Sequence, residues 1–409
     1  MLTLSKCEGS GGRIKGTPEG FVVKEITANG TVLVPGRSYA CGELGYANAE
    51  SGRFSTFVMQ KTNWNTIQAL LRISKLLGHG KGAIGYCGVK DRTSVSVQLA
   101  SIFGAKPQDL LRLRIKDISI NGAWLSTGPV EMGSNLGNAF EIAVEDIKSP
   151  QSVGKAIEEL GGSMPNYFDR QRFGSRLNNA KIGIAIIGGD FEAAAMHVLL
   201  DTDWEEDRIA VEARRQLASD RDFAKALSYF PGYLKGERSV LAHLSTHSKD
   251  YAGALRKLPR GITIMFIHAV EALVFNMALE ARIRGADFNC PASCGSNFYG
   301  FPDTTAISAH GEYGLSPLIG YQTDESHITS YESNAMGKIG VSKEDFKIKG
   351  MPELSMKGAL RPLLAPVKDI AYSFDHGTKV SFSIPAGSYA TVFMNEITKR
   401  DDLNLERLR

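Results

Sequence analysis

One stretch of the chain has residue types and spacing suited to covalent or proton-transfer chemistry. In GYCGVKDRTSVSVQ (85–98), Lys90, Asp91 and Arg92 sit between a glycine turn and a run of small β-formers. No other acidic residue falls within ten positions of Asp91 on either side. A lone carboxylate flanked by cations stays ionised, as a nucleophile or a general base must. The same cluster also has the composition of a plain surface turn, and the stretch alone leaves both readings open. A second segment, NYFDRQRFGSR (166–176), interleaves Arg170, Arg172 and Arg176 with Tyr167, Phe168 and Phe173. Guanidinium groups pair with phosphates, and aromatic faces stack on unpaired bases. A loop anchored by its aromatics, with its arginines in solvent, shows the same pattern.

Other chemistries find less support. LGHGKGA (77–83) is glycine-rich but lacks the G-x4-G-K-[ST] spacing that cradles phosphates. There is no Ser-His-Asp order, no HExxH and no paired glutamates. Cys290 and Cys294 form a C-x3-C with no second pair at zinc-finger spacing, so the expectation is a loop and no metal. Five cysteines, few and odd in number, suit free thiols in a reducing compartment. The N-terminal MLTLSKCEGSGG has no apolar run of signal-peptide length. In ITIMFIHAVEALVFNMALEARI (262–283), His268, Glu271, Asn276 and Glu280 interrupt the apolar run, which reads as a buried helix rather than a membrane span. The expected location is the cytoplasm. The net charge of +3 permits a nucleic acid partner without arguing for one.

The elements that must position these residues follow from periodicity. A chain of 409 residues has room for roughly two or three domains. FVVKEI (21–26) and TVLV (31–34), joined by TANG, read as a hairpin. NTIQALLRISKLLG (65–78) reads as a helix with Ile67, Leu70, Leu71 and Leu77 largely on one face, capped by Asn65 or Thr66. LRIKDISI (113–120), FEIAVED (140–146) and KVSFSI (379–384) alternate as strands do, and TVFMNEITKR (391–400) reads as a helix. Between about 176 and 285 the chain is mostly helical, and 290–340 shows little periodicity. Strand-rich ends around a helix-rich middle fit either three domains in series or one domain interrupted by another.

Five segments in one order carry a resemblance: RIKGTPEGFVVKEI (13–26), GVKDRTSVSVQ (88–98), LGNAF (136–140), NYFDRQRFG (166–174) and FSIPAGSYATVFMNEI (382–397). Together they resemble the TruD/Pus7 family of tRNA pseudouridine synthases, archaeal or bacterial-type TruD, over nearly the whole chain. The chain departs from the family pattern at Gly20 (usually Asp), Ser94 and Ser96 (Ala and Thr), Asp169 (Gly), Ile384 (Leu) and Asn395 (Arg). None of these is the catalytic aspartate position.

The resemblance implies an α+β fold: a catalytic pseudouridine-synthase domain with a mixed, mostly antiparallel sheet, interrupted by an inserted helix-rich TRUD domain. It sets the catalytic domain at 1–175 plus 346–409 and the insertion at 176–345. The implied activity is isomerisation of uridine 13 of tRNA to pseudouridine, with no cofactor and no metal. Asp91 falls on the catalytic aspartate and Lys15 on the active-site lysine. Asn138 and Phe140 fall on an N-x-F pair that contacts the base, and Tyr389 on a second aromatic of the site. Arg170, Arg172 and Arg176, with RKLPR (256–260), are the expected RNA contacts. The alternative is a tRNA-binding protein or RNA chaperone without catalysis.

Overall fold

The computed structural model describes all residues except 48, 50, 295–312, 376, 401, 402 and 409. Its strands are β1 (Gly11–Ile14), β2 (Phe21–Ile26), β3 (Phe54–Thr62), β4 (Ile84–Tyr86), β5 (Val95–Phe103), β6 (Ile118–Ser126), β7 (Gly137–Ile147), β8 (Ser163–Pro165), β9 (Ala292–Cys294), β10 (Tyr313–Leu318), β11 (Ala359–Pro362), β12 (Leu364–Pro366), β13 (Lys368–Ser373) and β14 (Thr378–Pro385). Its helices are α1 (Thr66–Leu76), α2 (Pro107–Arg112), α3 (Gln151–Leu160), α4 (Asn179–Ile187), α5 (Phe191–Leu200), α6 (Arg208–Asp220), α7 (Phe223–Tyr229), α8 (Lys235–Leu244), α9 (Tyr251–Leu255), α10 (Arg260–Gly285), α11 (Ser330–Ile339) and α12 (Ala390–Thr398).

The main sheet runs β13-β14-β7-β2-β5-β3-β6, with β1 added beside β7 and β4 beside β5. Every pair in it is antiparallel except β2 with β5. KVSFSI lies in β14 and pairs residue for residue with β7, which holds FEIAVED, so both ends of the chain build one sheet. Alternation explains which face is covered. Val23, Phe140, Ile142, Val380 and Phe382 pack under α3 and α12. Phe57, Met59, Ala100 and Ile102 pack under α1 and α2. The registers Val23↔Phe140 and Val23↔Ser96 place both packs on the same face of the sheet.

The helical lobe surrounds α10, whose Phe266, Ile267, Val270, Leu273, Val274 and Phe275 are buried among the neighbouring helices. Among the described residues this helix alone is long and apolar enough to cross a membrane, yet it forms the centre of a folded lobe. Its polar interruptions have internal partners. His268 Nδ1 meets Glu271 Oε2 at 2.7 Å, and Asn276 bonds both backbone groups of Phe168, donating at 2.7 Å and accepting at 2.9 Å.

Several expectations need correction. Residues 31–34 form only a bridge, Ile26↔Val32, because the chain turns away after Leu33 closes on Glu25. The strand expected at 113–120 begins at Ile118; the earlier residues cap α2 and turn. α1 is capped by Asn65, which accepts from the amides of Ile67 and Gln68, an interaction worth about 1 kcal/mol. Its buried face is Ala69, Leu70 and Ile73, and Ile67 is exposed. The aperiodic stretch 290–340 contains β10 and α11; its residues 295–312 lie outside the described residues. The insertion boundary at 345 also shifts. Phe346, Ile348, Met351 and Leu354 pack into the helical core, and β11 pairs with β10, so the chain leaves the helical lobe only at β12, which pairs with β8. Tyr167, Phe168 and Phe173 belong to the helical core as well.

Candidate active site

Strand register builds the floor of the site. Glu25 of β2 lies directly opposite Asn138 of β7, which lies opposite Ile384 of β14. One row along, Lys61 of β3 faces Ser96, Ser96 faces Val23, and Val23 faces Phe140. Opposed residues share a face, so polar groups from four strands surface between the two helical packs.

The loop from Gly88 to Ser94 lies across this polar strip. Thr66 at the start of α1 accepts from the Lys90 amide at 3.0 Å, and Gln98 donates to Gly88 O at 3.0 Å. The carbonyl of Asp91 accepts from Lys61 Nζ at 2.8 Å and from Ser94 Oγ at 2.7 Å. With its backbone held from two sides, the Asp91 side chain projects into the cleft. There Gln171 Nε2 donates to Oδ1. No hydrogen bond among the described residues takes up Oδ2. Lys90 points the other way, into the sheet, where Nζ lies 2.8 Å from Glu25 Oε2 and donates to Asn138 Oδ1 at 2.7 Å. Burial pushes the Lys61 ammonium down to about 8, with Asp91 opposing the shift and Lys90 adding to it.

The helical lobe supplies the other wall. Asn276 of α10 clamps Phe168, the Thr391 hydroxyl donates to Asp169 Oδ2 at 2.6 Å, and the turn Arg170–Phe173 carries Gln171 to the Gly88–Ser94 loop. Tyr389 caps α12 half-buried, its ring edge-on to Phe168 at 6.3 Å. Arg361 lies 4.0 Å over the Phe168 ring and donates to Asn166 Oδ1 at 2.7 Å.

The residues singled out from the sequence divide. Asp91 and Asn138 meet through Lys90, and Tyr389 joins the wall through Phe168. Phe140 is 7% exposed, stacked on Phe382 at 5.4 Å and edge-on to Phe21 at 6.0 Å, so it is part of the floor and offers no free stacking face. Lys15 makes no described contact with Asp91; its ammonium lies 3.8 Å from Glu145 Oε1 on the rim. Arg170 lies 4.7 Å over the exposed Trp204 ring, and Arg172 lies 5.1 Å over Phe168. Arg176 is corrected as an RNA contact. It donates to Val198 O and Asp201 O inside the helical lobe and lies within reach of Glu205 and Glu237. Arg256 of RKLPR pairs with Glu353 at 2.7 Å. Among the described residues no three His, Cys, Asp or Glu side chains gather as a metal set.

Glu25, Lys61 and Gln171 were not singled out from the sequence, and Lys90 was read only as a cation flanking Asp91. A signal existed for two of them. Phe21, Val23 and Glu25 alternate inward, as do Phe57, Met59 and Lys61, and a charge at an inward strand position needs a buried partner.

A family model described as tRNA pseudouridine synthase D (TruD) matches residues 2–293 and 305–397. A Methanosarcina acetivorans protein named "Probable tRNA pseudouridine synthase D" is 30% identical over 99% of this chain and 96% of its own length. A protein of the same name from Methanopyrus kandleri is 34% identical over 85% of this chain and 86% of its own. The crystal structure of the TruD protein from Methanosarcina mazei matches with a TM-score of 0.73 at 28% identity, covering 98% of this chain and 96% of that one.

Proposed function

The chain belongs to the tRNA pseudouridine synthase D family, a family of isomerases, and from that premise we propose that it converts uridine 13 of tRNA to pseudouridine with Asp91 as the reacting carboxylate. The reaction breaks the bond from ribose C1′ to uracil N1, turns the base and joins C5 to C1′. C5 loses a proton and N1 gains one, so no electrons and no group enter or leave. The observation that carries the assignment is the treatment of Asp91. Its carbonyl is fixed by Lys61 and Ser94, one carboxylate oxygen is oriented by Gln171, and the other is left without a described partner. A rigidly mounted carboxylate with an open oxygen suits attack on C1′, and it equally suits removal of the proton on C2′.

Uridine must leave its stack to reach that oxygen. Tyr389 is the half-buried ring positioned to replace lost stacking, and Phe140 forms the apolar floor beneath. Asn138 contacts the base, Lys15 faces RNA from the rim, and Arg170 and Arg172 lie along the path of the backbone. The test is pseudouridine mapping on tRNA transcripts incubated with and without the protein. Pseudouridine at position 13 alone supports the proposal. Tight tRNA binding with no pseudouridine at any position would instead leave a non-catalytic tRNA binder.

A further inference from the structure

We infer that Lys90 is a positioning residue: compensated by Glu25, it turns the Asn138 amide so that Nδ2–H faces the substrate and donates to a carbonyl of the target uracil. The inference rests on the reading of Asp91 and its cleft given above. Lys90 Nζ donates to Asn138 Oδ1 at 2.7 Å. An ammonium has three donors and no acceptor, so only the amide oxygen can face it. The choice between amide oxygen and nitrogen, often open for asparagine, is here made by charge. The NH2 is left pointing away from Lys90. No described hydrogen bond takes it up, and Asn138 is half-buried rather than sealed.

The device behind it is deep. The side chains of Lys90 and Glu25 are 6% and 0% exposed, and they lie 2.8 Å apart. Glu25 is itself oriented by the Leu99 amide, which donates to Oε1 at 2.8 Å. Buried ion pairs are poor stabilisers, since apolar residues of similar volume commonly serve stability as well or better. A buried pair is thus a weak device for stability, and this one ends on a half-buried amide that it aims. A donor there matches the O2 or O4 carbonyl of uracil. If it meets O4, cytosine presents its amino group at the same place, and two donors oppose each other.

The test uses the full chain in single-turnover assays on tRNA carrying uridine, 2-thiouridine or 4-thiouridine at the modified position. A thiocarbonyl is the weaker acceptor. Wild type should slow about tenfold on one of the two thio substrates relative to uridine. Asn138→Ala should slow about ten- to hundredfold on uridine and lose that discrimination. Lys90→Met combined with Glu25→Gln removes both charges and keeps an acceptor for the Leu99 amide. It should match Asn138→Ala and add nothing in the Asn138→Ala background. Additive losses, or a wild type indifferent to both thio substrates, overturn the inference. Asn138→Asp leaves Lys90 an acceptor but offers the substrate no donor, and full turnover in that variant also overturns it, even if the double substitution fails to fold. Failure of the underlying functional reading looks different: wild type then makes no pseudouridine from uridine itself.

Discussion

Two buried charge networks of similar composition sit in the two halves of the molecule. In the helical lobe, Arg214 donates to Val198 O, Leu199 O and Glu237 Oε1, and Arg176 donates to Val198 O and Asp201 O beside the same glutamate. Burial, reinforced by the neighbouring Arg214, pushes the Arg176 guanidinium down against the pull of Glu237, Glu205 and Asp201. In the sheet, Lys90, Glu25, Asn138, Lys61 and Asp91 form a comparable cluster. The difference is closure. In the helical network the guanidinium NH2 groups end on carbonyls and carboxylates of the same lobe, and the one unfilled donor, Arg214 Nε, is sealed inside it. The sheet network ends on Asp91 Oδ2 and the Asn138 NH2, neither of which is taken up by a hydrogen bond among the described residues. Charge burial by itself therefore marks nothing, and neither does a sealed unfilled donor; unfilled bonding capacity on half-buried groups at the end of a fixed network is what sets the sheet cluster apart.

The largest effect should come from the open end of the sheet network. Asp91→Asn preserves size and the two bonds to its backbone carbonyl, but a neutral amide is a poor nucleophile and a poor base. Pseudouridine formation should fall at least about a thousandfold, while tRNA affinity changes less than about threefold. Quantitative mapping paired with filter binding at fixed salt measures both. Turnover within about tenfold of wild type, roughly 1.4 kcal/mol of barrier, would remove Asp91 from the chemistry.

The closed network should respond in stability instead. Arg214→Met takes the nearer guanidinium from Glu237 and Glu205 and leaves them, among the described residues, only Arg176, at 3.8 Å and 4.0 Å; breaking a buried pair costs up to about 3–5 kcal/mol in comparable sites. Thermal denaturation should show a drop of several degrees or more. Pseudouridine formation per folded molecule, measured well below the new midpoint, should match wild type. A fall in turnover with unchanged melting would reverse the comparison.

Lys61 is the fully buried cation of the sheet network and gives the most discriminating pH signature. Its folded-state value of about 8 lies below the ordinary 10.5, so between those values the unfolded chain holds a proton that the folded chain has lost. Stability linked to Lys61 therefore rises with pH across that window. Activity should move the other way. As the ammonium loses its charge it no longer supports the Asp91 carboxylate, so turnover should fall by up to about tenfold per unit above 8. Lys61→Met should abolish both slopes. Parallel slopes, or slopes that persist in the variant, would show that another group titrates.

Much of this arrangement could be read from residue order, for definite reasons. Alternation in FEIAVED and KVSFSI set two strands, and their pairing as β7 and β14 is what local pattern leaves open, because pairing depends on residues far apart in the chain. Asp91 stood out because it is a lone acid in a basic, glycine-bounded loop. Lys61 and Glu25 did not, although each breaks an inward alternation. A strand read for its period hides the one inward position that departs from it. Arg176 failed in the opposite sense. Its neighbours Arg170 and Arg172 share its spacing and chemistry, and only the packing of α5, α6 and α8 decides that Arg176 closes on carbonyls while Arg170 rests on Trp204.

That last pair gives the smallest and most specific test. Arg170 has no carboxylate partner among the described residues, and its guanidinium lies 4.7 Å over the ring of Trp204, a residue 43% exposed. An exposed stack of this kind contributes about 0.5–1 kcal/mol to holding the arginine in place. The guanidinium keeps all its donors for a phosphate, or a plane for an unstacked base. Arg170→Ala should weaken tRNA binding about three- to tenfold and lower the slope of log affinity against log salt by about one unit, the mark of one lost phosphate contact. Turnover at saturating tRNA should hold, because Gln171 remains on the same turn. Trp204→Ala should give a smaller loss of affinity with the same slope as wild type, since it removes the support and leaves the charge. Arg176→Ala should leave the salt slope untouched and lower the melting temperature. If Arg170→Ala and Arg176→Ala change the slope equally, the distinction between an open and a closed arginine does not describe how this molecule meets RNA. If Arg170→Ala melts lower and binds normally, Arg170 serves the fold and the RNA path lies elsewhere along the cleft.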